Sequence, residues 1–322
     1  MAEKLPPDLL KKLRPLEKSL HAAAQAGEVE RAIELATEIQ ALFVGRRKHH
    51  RLLRAKLWAF EAALDANRVT YAESGFRGVR QLANAGTRLH LEASSLLAIV
   101  LLRQKKIPEA KRLIRDVIRR VNDIQSERTR RQFQKRLVNR LEEECILVEL
   151  MDTGDGTLDA EEVHQKAVLL IQQNSENEIL KLIGNSVPSA GVLLLRDVRD
   201  YSIKQLPPPD RKALPAPEQA EQPLPIGKKT FAVLRRIAWK TFCHPDSEIY
   251  KLWSNRIPKV FNQGYFAAAI TASLNQWRVG VPLLASGITA LVMKYSAEEF
   301  CEMSKPKGVM IDAKDRQPEK DA

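Results

Sequence analysis

The chain has 322 residues, of which 44% are apolar, 29% charged and only 6% aromatic. This length and apolar content support a substantial buried core in about two domains, and the richness in Ala and Leu favours helices over sheets. The three cysteines are far apart and form no C-x-x-C pair, which argues against a disulfide framework or a zinc site and indicates a reducing compartment.

The net charge of +12 predicts partners that carry negative charge, such as polyanions, acidic protein surfaces or anionic membranes. The N-terminal sequence Met-Ala-Glu-Lys-Leu-Pro-Pro contains no apolar core of a secretion signal. Together with the cysteine pattern, this feature predicts a cytoplasmic protein.

The first domain shows helix-period apolar patterns separated by short turns at Gly27, residues 65–67 and residues 105–108. An alanine lies early in the second helix of each pair, with spacings of 40 and 38 residues; these alanines are Ala32, Ala72 and Ala110. Because a small residue lets two helices cross closely, this recurrence predicts stacked helical hairpins, as in an α-solenoid.

The segment at residues 97–117 carries a family resemblance. Its residues Ala110, Ile114 and Val117 stand where tetratricopeptide repeats place small and apolar residues of their second helix. Two earlier sets fit the same frame, namely Ala32, Ala36 and Ile39, and Ala72, Phe76 and Val79. Residues 16–125 therefore resemble the tetratricopeptide-like (TPR-like) helical repeat group, and the resemblance implies stacked hairpins.

This resemblance has clear departures. Leu20, Phe60 and Ala98 stand where the family has glycine, the terminal proline is missing, and the spacing exceeds the usual repeat of about 34 residues. An irregular helical bundle is the alternative. Either way, the sequence predicts an all-α fold, with a TPR-like solenoid or bundle followed by a small C-terminal helical domain.

The stretch from residue 103 to residue 140 is strongly basic, with fourteen Lys or Arg residues against four acids. Exposed side chains of this kind bind acidic surfaces, or phosphates with release of counterions. The predicted binding residues are Arg112, Arg115, Arg119, Arg120, Arg128, Arg131 and Lys135. The alternative is a solvated helix face, or one that is paired with the acids at residues 142–144.

Base recognition is not indicated in this stretch, because its single aromatic residue, Phe133, falls on an apolar stripe with Leu137 and Leu141. A second basic cluster at residues 46–51 contains His49 and His50. Two histidines could sense pH, although such residues are more often ordinary surface residues.

Residues 151–162 resemble an EF-hand loop, with Gly156 at the turn position and Glu162 at the bidentate position. Met151 and Thr153 replace acids that calcium would require, so we expect no metal. The preferred interpretation is a helix–turn–helix in which Asp159 caps the second helix.

Proline content marks a second division, since seven of the 23 residues between 204 and 226 are proline. Proline lacks a backbone donor and restricts the residue before it, so this segment is predicted to be an extended, exposed linker. It would join a domain at residues 1–203 to an apolar helical domain at 227–303, followed by a polar tail at 304–322.

The C-terminal domain contains an uncharged run at residues 279–293, which is shorter than the roughly 20 residues of a spanning helix. We expect a buried helical hairpin. One alternative is a membrane-inserting hairpin with Trp239, Trp253 and Trp277 as interfacial anchors. Another is an oligomerisation surface, because small residues allow close helix approach; these are Gly280, Ala285, Ser286 and Gly287.

The sequence lacks the nucleophile, metal-protease and phosphate-loop motifs of common enzyme classes. We therefore expect a non-catalytic scaffold or adaptor without a cofactor, in which a basic face meets an acidic protein partner and the C-terminal unit docks or self-associates. Binding of nucleic acid through residues 103–140 and membrane activity through residues 260–295 are the alternatives.

Overall fold

A computed structural model describes residues 5–151, 153, 157–205, 217–245, 247–254, 264–295 and 297–304. Regular structure in these residues is entirely helical, which confirms the predicted all-α class. The helices are α1 (Pro7–Ala26), α2 (Val29–Leu42), α3 (His50–Asp65), α4 (Val69–Leu82), α5 (Arg88–Arg103), α6 (Ile107–Arg120), a 3₁₀ turn (Val121–Asp123), α7 (Glu127–Leu150), α8 (Ala160–Gln173), α9 (Glu176–Asn185), α10 (Ser189–Lys204), α11 (Pro217–Ala220), α12 (Pro223–Cys243), α13 (Glu248–Ser254), α14 (Gly264–Gln276), α15 (Pro282–Val292) and α16 (Ala297–Ser304).

The described residues form two compact units, unit 1 at residues 5–140 and unit 2 at residues 141–304. The division falls inside α7 and not at the proline-rich segment. Helices α8 and α9 belong with the C-terminal helices, because α8 packs on α14 and α15 and α9 packs on α12. The small C-terminal domain predicted at 227–303 is therefore the later part of a larger compact unit.

Unit 1 contains three helical hairpins, α1–α2, α3–α4 and α5–α6, and in each the two helices pack on one another. Each turn has one residue in the left-handed region: Gly27 (φ 74°), Asn67 (φ 61°) and Lys105 (φ 56°). The next N–H donates to the carbonyl five residues back, at 2.9, 2.8 and 2.9 Å respectively. The three chain reversals therefore share one hydrogen-bonding pattern, that of a Schellman motif.

An alanine follows each of these turn residues by five positions. Ala32, Ala72 and Ala110 are all fully buried, and the helices that carry them are each 14 residues long. Helix α1 also contacts α3, and α3 contacts α5, so the first helices of successive hairpins are neighbours.

Phe60 stands at one of the places where the resemblance expects glycine, and its ring packs on α4. A Cβ atom added to Gly75 would lie only 2.4 Å from that ring. The small residue that this crossing requires is therefore supplied by the second helix of the hairpin.

A buried ionic cluster ties the end of α3 to α5 and α7. The Arg103 guanidinium donates to the Leu64 carbonyl and lies 3.8 Å from the Asp65 carboxylate, and Arg140 donates to the same carboxylate. Both arginines are almost fully buried. Because an unpaired buried charge is costly, Asp65 is needed to keep these two arginines inside unit 1.

Unit 2 depends on a close crossing of α9 and α12. A Cβ atom on Gly184 would lie 1.9 Å from the Pro223 carbonyl oxygen, and one on Gly227 would lie 1.8 Å from the Leu180 carbonyl oxygen. The two backbones are therefore in direct contact. Gly287 of α15 leaves room for the side chain of Ile183 of α9, since a Cβ atom on Gly287 would lie 2.8 Å from that side chain.

The part of the proline-rich segment that the structure describes is helical and not extended. Helix α11 and the first turn of α12 lie within residues 217–226, and Ala220 and Ile226 are buried. Proline is tolerated in a first helical turn, where its missing N–H has no intrahelical partner. Residues 206–216 lie outside the described residues.

We expect Gly184→Ala and Gly227→Ala each to destabilise unit 2 by about 3 kcal/mol or more, because a methyl group would force two backbones apart. Gly78→Ala in α4 is the control, since an added Cβ there meets nothing within 4 Å, and alanine should stabilise that helix by up to about 1 kcal/mol. Urea unfolding monitored by circular dichroism measures these differences, and equal effects of all three substitutions would contradict the close crossing.

The left-handed turn can be tested at Asn67. Asn67→Ala should lower the free energy of unfolding by about 1 kcal/mol, because a Cβ-bearing residue without a local hydrogen-bonding side chain disfavours this backbone conformation. Asn67→Gly should change the free energy of unfolding by only roughly a few tenths of a kcal/mol. The same urea titrations distinguish the two substitutions, and an alanine variant as stable as the glycine variant would argue against a left-handed Asn67.

Candidate interaction surface

Helix α6 presents a row of arginines to solvent. Arg112, Arg115 and Arg119 are exposed, whereas Ile114 and Val117 on the opposite side are buried. The spacing of three and four residues places the arginines on one face of the helix, as predicted.

Helix α7 repeats this arrangement in its first half. Arg128, Arg131 and Lys135 are exposed at the same spacing of three and four residues. Phe133 and Leu137 are fully buried in unit 1. We refer to the six exposed residues of α6 and α7, together with the half-buried Arg120, as the basic face.

Acids of α6, of the 3₁₀ turn and of α7 form ion pairs with members of the basic face. Ion pairs join Arg119 to Asp116 at 3.3 Å, Arg120 to Asp123 at 3.2 Å and Arg131 to Glu127 at 2.8 Å. Pairs of this kind between exposed side chains contribute little to stability, so they can exchange for a partner's carboxylates at small cost.

Positive charge is concentrated in unit 1. Residues 5–140 contain 29 Lys or Arg residues and 14 acids, whereas residues 141–304 contain 17 and 21 respectively. The basic character of the whole chain therefore resides in unit 1, in the same part of the molecule as the basic face.

Two charges of the predicted basic stretch are not available for binding, because Arg103 and Arg140 are buried against Asp65. The acids at 142–144, proposed as partners of the stretch, have basic partners in unit 2. In unit 2, Glu142 pairs with Arg199 at 3.3 Å and with Lys229, while Arg236 contacts the two following glutamates at 2.9 Å each.

His90 lies beside the basic face, at the start of α5. Burial of the imidazole lowers its pKa from the ordinary value of 6.5, as do the nearby charges of Arg120 and Arg80, while Asp116 acts in the opposite direction. Folding therefore favours the neutral form of His90.

The second basic cluster contains a histidine with a structural role. His49 is buried and packs against Phe43 with the two rings tilted and their centroids 5.0 Å apart. It also caps α3 by accepting the Arg51 N–H at its Nδ1, 3.2 Å away. The expectation of two plain surface histidines holds only for the exposed His50. Close by, burial and then the charge of Arg47 lower the pKa of Lys56.

The EF-hand-like segment ends in the cap that the sequence predicts. The Asp159 carboxylate accepts the Glu162 N–H at 2.8 Å, at the start of α8. The backbone of Leu158 exchanges two hydrogen bonds with the Asn275 side chain, at 3.0 and 3.4 Å. Residues 152 and 154–156 lie outside the described residues, and elsewhere in the described chain no three His, Cys, Asp or Glu side chains are grouped to hold a metal.

The uncharged C-terminal run forms α15, whose residues from Leu284 to Val292 are buried in unit 2. In the described part of the chain, no single helix is both long and apolar enough to cross a membrane; α9 and α10 reach that length and composition only together, with a bend of 96° between them. Three of the small residues proposed for oligomerisation, Ala285, Ser286 and Gly287, are buried in unit 2, where Gly287 packs on Ile183. Gly280 is half-buried.

Two of the tryptophans proposed as membrane anchors are buried. Trp239 donates its indole N–H to the Cys301 carbonyl at 3.2 Å, and Trp277 is 8% exposed. The side chain of Trp253 lies outside the described part of the structure. An anchoring role for Trp239 and Trp277 would therefore require unit 2 to open.

A disulfide joins Cys243 of α12 to Cys301 of α16, with the Cα atoms 5.4 Å apart. The cysteine spacing argued against a disulfide framework and did not predict this bond. A separation of 58 residues in sequence gives no local signal for such a pair. Cys145 remains a buried thiol.

Comparison with known proteins gave no matching family model, no curated relative and no solved structure of similar fold.

We expect the free energy of unfolding to decrease as the pH falls below about 6.5, because the unfolded chain binds a proton at His90 more tightly than the folded one. This contribution is complete above the ordinary histidine pKa and is lost as the pH falls through the lowered one. His90→Asn should reduce that pH dependence, and His50→Asn, at an exposed position, should retain it. Urea unfolding at a series of pH values provides the test, and identical pH profiles for the two variants would contradict it.

Proposed function

We propose that the protein is a non-catalytic scaffold or adaptor that binds an acidic protein through the basic face. The observation that carries this proposal is the matched spacing of Arg112, Arg115 and Arg119 on α6 and of Arg128, Arg131 and Lys135 on α7. All six are exposed. Complementary charge accelerates association and selects among partners.

The side-chain composition of the basic face favours an acidic protein over a nucleic acid as the partner. Single-stranded nucleic acids bind through aromatic side chains on which bases stack. The aromatic residue nearest in sequence to the exposed charges, Phe133, is fully buried. A nucleic acid would therefore bind through its phosphates alone, and such binding would weaken steeply as the salt concentration rises.

In this proposal unit 1 is a solenoid of TPR-like hairpins that holds the basic face rigid. The shared turns at Gly27, Asn67 and Lys105 support a repeated hairpin, and the neighbouring first helices support stacking. The C-terminal helices serve as the docking or self-association unit, and we propose the cytoplasm as the site of action.

The test is co-purification of tagged full-length protein from native lysate of its source, with and without nuclease. We expect nuclease-resistant capture of an acidic protein. Reversal of three charges, in Arg112→Glu/Arg115→Glu/Arg119→Glu or in Arg128→Glu/Arg131→Glu/Lys135→Glu, should reduce that capture about tenfold or more. Thermal stability should change little, because these side chains are exposed.

A matched control reverses three exposed lysines of α8, α9 and α10, namely Lys166, Lys181 and Lys204, with the same change in net charge. It should retain capture. Equal loss in the control would indicate a general effect of net charge and not a localised face. Loss of all capture on nuclease treatment would replace the acidic protein by a nucleic acid.

A further inference from the structure

The disulfide joins α16 to the end of α12. Cys243 is the last residue of α12, and Cys301 lies in the middle of α16. The two cysteines are 58 positions apart in sequence, and the residues between them include α13, α14 and α15. Neither the basic face nor the proposed function requires this bond, so we expect it to act within unit 2.

Helix α16 is a short element of unit 2 that packs on α12. It is eight residues long, too short to be stable alone in water, and its main neighbour is α12. Phe300 anchors it, fully buried and edge-on to Phe242 with centroids 5.4 Å apart. The Trp239 indole adds one hydrogen bond to the backbone of α16.

The rest of unit 2 is held together without the disulfide. Helices α9 and α12 are in backbone contact at Gly184 and Gly227, and Arg236 of α12 pairs with the buried Glu144 at 2.9 Å. Opening the disulfide therefore removes a constraint on α16 and leaves the attachment of α12 to α9 and α7 in place.

The two cysteine residues differ in exposure to solvent. Cys243 is 5% exposed, whereas Cys301 is partly exposed. Thiol–disulfide exchange requires an incoming thiolate to reach one sulfur in line with the bond. Access from solvent therefore favours attack at Cys301, with Cys243 as the leaving thiolate.

We propose that Cys243–Cys301 is a reversible disulfide that controls whether α16 stays docked on α12. On oxidation, the two thiols lose two protons and two electrons to a small disulfide such as oxidised glutathione, which is released as two thiols. On reduction, a dithiol forms a mixed disulfide with Cys301 and frees Cys243; its second thiol then releases Cys301 and leaves as a cyclic disulfide. In a reducing cytoplasm the bond is open until oxidants accumulate.

The experiment uses full-length protein carrying Cys145→Ser, so that only the two cysteines of the disulfide remain. One sample is equilibrated with oxidised glutathione and another with dithiothreitol, and both are analysed by alkylation with mass spectrometry and by amide hydrogen exchange. We expect both thiols to be protected from alkylation after oxidation. Reduction should speed exchange in residues 297–304 about tenfold or more, with α9 and α12 changed less than about twofold.

The double variant Cys243→Ser/Cys301→Ser in the same background supplies the control, because it has no thiol and should exchange like the reduced protein in both buffers. Three outcomes would overturn the proposal. The thiols could alkylate fully after oxidation, so that no bond forms. Exchange in α16 could be the same in both states. Reduction could also accelerate exchange throughout unit 2, which would make the disulfide a staple of the whole unit and not a control of α16.

Discussion

A single residue with a left-handed backbone ends a helix abruptly and lets the chain reverse within three residues, and unit 1 uses such a residue in three turns. The turns at Gly27, Asn67 and Lys105 share one hydrogen-bonding pattern. Each turn therefore starts its second helix in the same register, with a buried alanine five residues on. Because that register fixes the inward side of α6, it also fixes the outward side, where the arginines lie.

This arrangement separates the buried side chains of unit 1 from the charged side chains that face solvent. The inward-pointing Arg103 and Arg140 share the carboxylate of Asp65. The outward-pointing Arg119 pairs with the half-buried Asp116. Exposed ion pairs hold their members weakly, so the outward charges remain able to bind another molecule. In unit 2, by contrast, the charged side chains that are buried include acids, since Glu142 and Glu144 pair there with basic residues of the same unit.

Periodicity predicted much of unit 1, because local spacing determines which side of a helix is buried. The turns, the buried alanines and the exposed arginines of α6 and α7 all follow from the sequence. Contacts between residues far apart in sequence could not be predicted from periodicity. Gly184 and Gly227 are 43 residues apart, and each looks like a helix breaker until the crossing is known. The Cys243–Cys301 pair and the burial of His49 likewise depend on contacts that no local pattern encodes.

The most direct test of the account is arginine labelling with phenylglyoxal, read residue by residue by mass spectrometry, with and without a saturating 20-residue polyglutamate peptide. Occupation of the basic face predicts that the peptide protects Arg112, Arg115, Arg119, Arg128 and Arg131, while the exposed Arg278 of unit 2 stays reactive. Equal labelling of the five arginines in both samples, or protection confined to Arg278, would contradict it.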